Sequence, residues 1–381
     1  MAKKALVVSA LAGFIVTFLQ HDIELLQNMG YEVHCAGNSS NKNPEENRKA
    51  FEKMNATFHQ IDFSSKSPLS KDNMKAFRQI NKLISLGDFD VIHCHTPIPG
   101  VIVRVLAERK RFTKETKVLY TTHGFYFHGG SSRKSWLIYY SIEKIMSALS
   151  DAMITINNED YLNAKKMWCK KVYHINGVGL DVAKYSKPLS NRSEYRKSIG
   201  VTDDELMILA IGELSERKNH RVIIEALSQT HIKNAVFVVC GKAISGQGTY
   251  DSLRKLAEEK NVKVIFLGHR MDVPELCHCA DIGVMPSTRE GLGMAGLEML
   301  AAGVPLVASN VHGIKDYICD GVNGFSALPE DASSFARGIC KLADVDTRAG
   351  MKAACLEKAR EFDQEISFGQ MEKIYKEVLQ S

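Results

Sequence analysis

No apolar stretch of this sequence reaches the ~18 residues that a membrane-spanning helix requires, which excludes a helical integral membrane protein. Disulfide architecture is lacking as well. The nine cysteines are odd in number and irregular in spacing, which excludes a stapled secreted scaffold and reads as reduced, mostly buried thiols of a cytosolic protein. No internal repeat or low-complexity tract is present, so a solenoid is excluded. Metal-ligand spacing is missing too. Cys277-His278-Cys279 lacks the two-residue gap of a zinc knuckle and any second cluster. Asp88-Phe89-Asp90 merely opens a strand, and Asp344-Val345-Asp346 sits in a polar turn. No metal and no other cofactor is assigned.

What is present is the composition of an ordinary globular chain, 45% apolar and 24% charged over 381 residues, long enough to imply two domains. Its charge is uneven. Residues 1–185 hold 25 Lys+Arg against 17 Asp+Glu, or +8, and the remainder holds 24 against 27, or −3, which together give the net +5. A basic first half can face an anionic membrane surface or nucleic acid. The membrane is the partner adopted here, and no nucleic acid is expected.

The N-terminus, "MAKKALVVSALAGFIVTFLQHD", has the lysines and apolar run of a signal peptide. Strand, glycine loop at Ala10–Gly13, helix and a second strand within about 35 residues instead predict a βαβ unit. Short apolar runs followed by helical patterns then recur. One series is predicted at 4–9, 32–37, 57–62, 90–95, 117–123, 152–157 and 171–176. The second is predicted at 207–213, 235–241, 262–268, 281–287, 305–309 and 324–328. Runs apolar on both faces and alternating with helices predict parallel strands, hence two doubly wound α/β domains. The polar segment 179–206 marks the hinge, so the domains are predicted at 1–185 and 186–364. The terminal helix, about 365–381, is expected to pack back on the first. Ligands then belong in loops beyond the strand ends, in a cleft between the domains.

Three such loops carry chemistry. "GELSERKNH" (212–220) puts Arg217 and Lys218 at a strand-to-helix turn, a setting suited to phosphate. "REGLGMAGLEML" (289–300) holds Glu290 and Glu298, eight residues apart, with Gly291, Leu292, Gly293 and Met294 between. A helix from about Gly293 to Ala302, stopped by Gly303-Val304-Pro305, is predicted there. At helical rise the two carboxylates lie up to ~12 Å apart and within about 80° of one face, a span that fits an extended sugar nucleotide. "THGFYFHGG" (122–130) places His123 and Gly124 after a strand. "HCHTP" (93–97) has the same address, with its two histidines read as alternating faces so that at most one is used.

With those loops placed, the sequence resembles the retaining family 4 glycosyltransferases of the GT-B fold, in the branch of bacterial exopolysaccharide and capsule synthesis. The similarity rests on "DVIHCHTPIPG" (90–100), "YTTHGFYFHGG" (120–130), "SIEKIMSALSDAMITINNEDYLNAKK" (141–166), "INGVGLD" (175–181), "GELSERKNH" and "REGLGMAGLEMLAAGVPLVAS" (289–309). The resemblance implies two Rossmann-like domains, an N-terminal one for the acceptor and a C-terminal one for the nucleotide sugar. It implies that Glu290 contacts the donor sugar and Glu298 the ribose, with Gly291, Leu292, Gly293 and Met294 beside the sugar and diphosphate. Lys218 corresponds to the phosphate lysine, His123 to the histidine of the catalytic region, and Arg270 and Met271 to the uracil side. Two departures stand out: Glu213 replaces an arginine, for which Arg217 is the substitute, and the N-terminal loop keeps only Gly13.

The function implied is metal-free transfer of Glc, Gal, GlcNAc or GalNAc from a UDP-sugar to an undecaprenyl-diphosphate-linked glycan, at the inner face of the plasma membrane. "RVLAERKRFTK" (104–114) is the expected contact with anionic lipid. A non-hydrolysing UDP-sugar epimerase of the same fold and a non-catalytic UDP-sugar-binding partner of a polysaccharide assembly complex are the alternatives.

Overall fold

The structure is a computed structural model that describes residues 3–39, 44–64, 67–111, 115–243 and 248–380. The chain forms two compact units, residues 1–178 with 365–381 and residues 179–364. The sequence placed the boundary after 185 instead. Residues 179–185 belong to the second unit because Leu180 exchanges backbone hydrogen bonds with Phe362 and Gln364, and Tyr185 is buried. The supposed hinge is also structured: Val182–Tyr185 and Arg192–Ser198 are helices, and buried Arg196 bonds Asp281 at 3.1 Å.

The first unit is built on seven parallel strands, β1 (Lys3–Leu11), β2 (Tyr31–Asn38), β3 (Thr57–Gln60), β4 (Val91–His95), β5 (Lys117–Thr122), β6 (Ala152–Thr155) and β7 (Lys171–His174). Their order is β3-β2-β1-β4-β5-β6-β7. The second has six, β8 (Leu206–Ile211), β9 (Ala235–Cys240), β10 (Val264–Gly268), β11 (Ile282–Met285), β12 (Leu306–Ser309) and β13 (Gly324–Ala327), ordered β10-β9-β8-β11-β12-β13. All thirteen coincide with the runs expected from the sequence, to within a few residues at the ends. Strands such as Val91–His95 and Ile282–Met285 are buried throughout, as parallel strands covered on both faces must be. The winding direction reverses between β1 and β4 and again between β8 and β11, and ligand crevices of doubly wound sheets open at such points.

The N-terminal glycine loop is absent. Strand β1 stays paired to β2 as far as Leu11 and passes directly into the helix Ala12–Phe18, so Gly13 is a helical residue. From Glu365 onward the helix Gln364–Leu379 belongs to the first unit. Its Gln370 accepts a hydrogen bond from the Asn176 amide at 2.8 Å.

Candidate active site

In the second unit, the loops after β8 and β11 meet at the reversal point. Thr288 N–H donates to the Arg217 carbonyl at 2.9 Å, and Asn219, in a left-handed conformation, ends a single 3-10 turn over Glu216–Lys218. Gly212 has φ +148, a conformation that residues with a side chain rarely adopt, and the Lys218 side chain folds back over it.

Four charges then share one small volume. Glu290 accepts from Lys218 Nζ at 2.7 Å, Arg217 Nη1 at 2.9 Å and Ser287 Oγ at 2.9 Å. The other end of the Arg217 guanidinium holds Glu213 at 3.1 Å, and Arg217 also donates to the Arg289 carbonyl at 3.2 Å. The glutamate standing where the resemblance implied an arginine is thus neutralised by Arg217, whose two terminal nitrogens the protein itself engages. Burial pushes the Glu290 carboxyl up, but Lys218 and Arg217 outweigh it and hold the group below its ordinary value.

Glu290 is in the loop, and only Glu298 lies on the helix, which runs Met294–Ala301. The single-helix span between the two carboxylates therefore does not apply, because the chain turns at Gly293 with φ +84 before helix geometry begins. A Cβ at Gly293 would press on Met285 and the Tyr317 hydroxyl, each at 3.0 Å. The helix stops as expected, with Gly303 at φ +79 and N–H groups of Gly303 and Val304 closing on Leu300 and Met299. The N–H groups of Leu292, Gly293 and Met294 have no acceptor among the described residues. Three such donors at a helix N-terminus, close in sequence to the carboxylate that Lys218 holds, are a setting suited to an anion.

Burial raises the Glu298 carboxyl, opposed by a hydrogen bond with Tyr185 and by Lys184 and Lys218. Arg270, expected on the uracil side, is paired within the protein. Its guanidinium is clamped on Asp272 and reaches the Tyr195 hydroxyl, while Met271 is 83% exposed.

In the first unit, His123 follows β5 and its Nε2 lies 3.2 Å from His95 Nδ1, with Phe14 packed against the ring. Gly124 comes next at φ +117. His93 and His95 do not alternate. Two residues apart on a strand they share a face, and their rings lie 4.1 Å apart. A relay continues from His93: Nε2 to Thr121 Oγ1 at 2.8 Å, Nδ1 to the Tyr375 hydroxyl at 2.7 Å, and that hydroxyl on to Asp22 at 3.3 Å. Burial lowers His123 to about 4, burial and neighbouring His123 lower His93 to about 3, and burial raises Asp22 to about 7. A small pocket is lined by Asp22, His95, His123 and Met371. Sequence reasoning missed Asp22, Tyr375, Ser287 and Tyr185. Ser287 alone had a signal, as the last residue of its predicted strand.

Arg104 was expected at a lipid-facing helix end. It is wholly buried instead, bonded to Glu143 at 2.8 Å and to the Gly100 carbonyl at 2.7 Å. Residues 112–114 of that stretch lie outside the described residues. No helix is long and apolar enough to cross a membrane, and no group of His, Cys, Asp or Glu able to hold a metal occurs among the described residues.

Both units match known families. Residues 6–157 match the glycosyl transferase 4-like model and residues 191–362 the glycosyl transferases group 1 model. The "Putative glycosyltransferase EpsD" of Bacillus subtilis is 35% identical, covering 90% of this chain and 88% of its own. The Escherichia coli UDP-Gal:alpha-D-GlcNAc-diphosphoundecaprenol alpha-1,3-galactosyltransferase is 26% identical, covering 76% and 75%. Among solved structures, Anabaena HepE in complex with UDP superposes with a TM-score of 0.77 at 18% identity, covering 98% of this chain and 100% of that one. Two doubly wound parallel sheets, a family match in each and a relative similar along nearly the whole chain lead to one assignment: the chain belongs to the GT-B glycosyltransferases.

Proposed function

We propose that the protein transfers Glc, Gal, GlcNAc or GalNAc from a UDP-sugar to a hydroxyl of an undecaprenyl-diphosphate-linked glycan, with retention at the anomeric carbon and without a metal. The observation that carries this is the anion site. Lys218 holds Glu290, which is kept ionised, and the N–H groups of Leu292, Gly293 and Met294 that follow in the same loop have no acceptor among the described residues. Such a site stabilises charge that develops on a departing diphosphate. Relatives support the substrates: the Escherichia coli enzyme's name specifies UDP-Gal and a diphosphoundecaprenol-linked acceptor, and Anabaena HepE was solved with UDP and with UDP-glucose.

In this proposal the acceptor oxygen bonds to the anomeric carbon on the face from which UDP departs. The bond from that carbon to the β-phosphate oxygen breaks, and the acceptor proton passes to that oxygen. Lys218 and the amides of Leu292, Gly293 and Met294 hold the diphosphate, with Gly291 giving the backbone room. Glu290 accepts from hydroxyls of the donor sugar, Glu298 from those of the ribose, and the backbone at Arg270 and Met271 borders the uracil. Arg217 orients Glu290 rather than binding phosphate. His123, neutral above about pH 4, and Gly124 face the acceptor. The basic N-terminal half carries the protein to the inner face of the plasma membrane.

The test is turnover of the four UDP-sugars with a synthetic GlcNAc-diphosphate-lipid, scored by NMR of the new linkage. An α-linkage from an α-donor and an unchanged rate in EDTA are expected. An inverted linkage would remove the retaining mechanism, loss of rate in EDTA the metal-free one, and epimerisation of UDP-sugar alone the transferase itself.

A further inference from the structure

The first unit carries a second and much larger cavity, a groove of about 520 Å³. Its walls come from the helices Lys71–Gly87 and Pro97–Arg111, from the segment Phe125–Phe127, and from the helical stretch around Tyr139 and Ile142. The floor is the stacked pair Phe125 and Phe127, with ring centroids 4.6 Å apart. Apolar side chains continue from the groove onto the surface: Met74 is 54% exposed, Leu137 74% and Ile145 53%. A monomeric globular chain seldom leaves such a run of large apolar groups in water without a partner.

Charge distinguishes the kind of partner. Over residues 133–147 the single carboxylate, Glu143, is buried on Arg104 and leaves no acid on the exposed face. Arg133 and Lys134 open the same stretch, and Arg78 lines the groove. None of the three has an ion-pair partner among the described residues. One cation in the groove wall and two at the start of the helical stretch that supplies another wall complement an anionic head on a hydrocarbon chain. Position supplies the second constraint. Phe125 is two residues beyond His123, so the groove begins in the loop that faces the acceptor.

We infer that this groove holds the head-proximal isoprene units of a polyprenyl diphosphate, with Arg78, Arg133 and Lys134 drawing in the diphosphate. The inference rests on the lipid-linked acceptor proposed above and supplies its binding surface, in place of the 104–114 stretch.

Calorimetric titration of the full chain with farnesyl diphosphate, against inorganic diphosphate, tests it. Met74→Glu with Ile142→Glu should weaken farnesyl diphosphate binding by about tenfold or more, with a native unfolding transition retained and Ile142→Leu restoring the affinity. No binding of farnesyl diphosphate to the unsubstituted protein, or equal affinity for inorganic diphosphate, would overturn the groove. So would a double variant that loses only adsorption to anionic vesicles, since the face would then touch the bilayer and not the prenyl chain. Groove-dependent binding without transfer to a GlcNAc-diphosphate-farnesyl acceptor would support the groove and sink the proposed function instead.

Discussion

Replacing Lys218 by methionine isolates the charge most closely tied to the proposed diphosphate site. The Lys218 side chain is 14% exposed and lies 2.7 Å from Glu290, itself 10% exposed. At an effective dielectric near 20 that contact is worth ~6 kcal/mol of gross attraction, most of it offset by the desolvation of the two groups. Glu290 would not be orphaned, because Arg217 and Ser287 remain within 2.9 Å of it. The fold should therefore lose only about 1–2 kcal/mol, within the range of ordinary substitutions. Catalysis should lose more. A point charge that meets the leaving diphosphate contributes most in the transition state, so kcat/KM should fall at least ~100-fold, equivalent to ~2.7 kcal/mol, with most of the loss in kcat. Steady-state kinetics paired with urea unfolding measure both quantities. A kcat/KM within a few-fold of the parent, with the protein folded, would remove Lys218 from the chemistry. An unfolding loss matching the kinetic loss would make its role purely structural.

Three other substitutions test neighbouring inferences. Arg104→Met strands the buried Glu143 carboxylate and should cost about 3–5 kcal/mol in urea unfolding, much of it recovered when Glu143→Gln is added. A cost under ~1 kcal/mol would mean the pair is not dry. Asp22 has its folded value raised to about 7, so the folded state holds a proton that the unfolded chain releases near pH 4; stability is full below that and falls as pH rises toward 7. The total penalty is at most ~4 kcal/mol. Asp22→Asn removes it, so the variant's gain in Tm should grow between pH 5 and pH 8, and a constant difference would refute the burial argument. Tyr185→Phe removes the hydrogen bond that lowers the Glu298 carboxyl, and the acid limb of kcat/KM should move to higher pH. An unmoved limb would show that Glu298 ionisation does not govern donor binding.

Strand positions and helix ends were legible in the sequence because their causes are local. A run such as Val91–His95 is buried on both faces whatever covers it, and Gly303-Val304-Pro305 stops a helix through its own backbone. The loops holding Lys218, Glu290 and His123 were legible for the same reason, since each directly follows a strand. Where local signals competed, the outcome was different. Gly13 read as a loop glycine, yet pairing of β1 with β2 out to Leu11 left no loop to form.

Partnership was not legible. Arg217 and Glu290 are 73 residues apart, and nothing near either announces that Arg217 bridges Glu213 to Glu290. Arg104 looked like a solvated helix end until packing set it against Glu143, 39 residues away. Asp22, His93 and Tyr375 come from three remote segments and acquire their altered protonation only by packing together. The amino-acid sequence by itself determined two doubly wound domains and which loops end at their strands, because apolar runs and glycine act over a few residues. The tertiary structure decided which charges pair with one another and where apolar surface is left uncovered, because Coulomb attraction and desolvation depend on distance and burial in space.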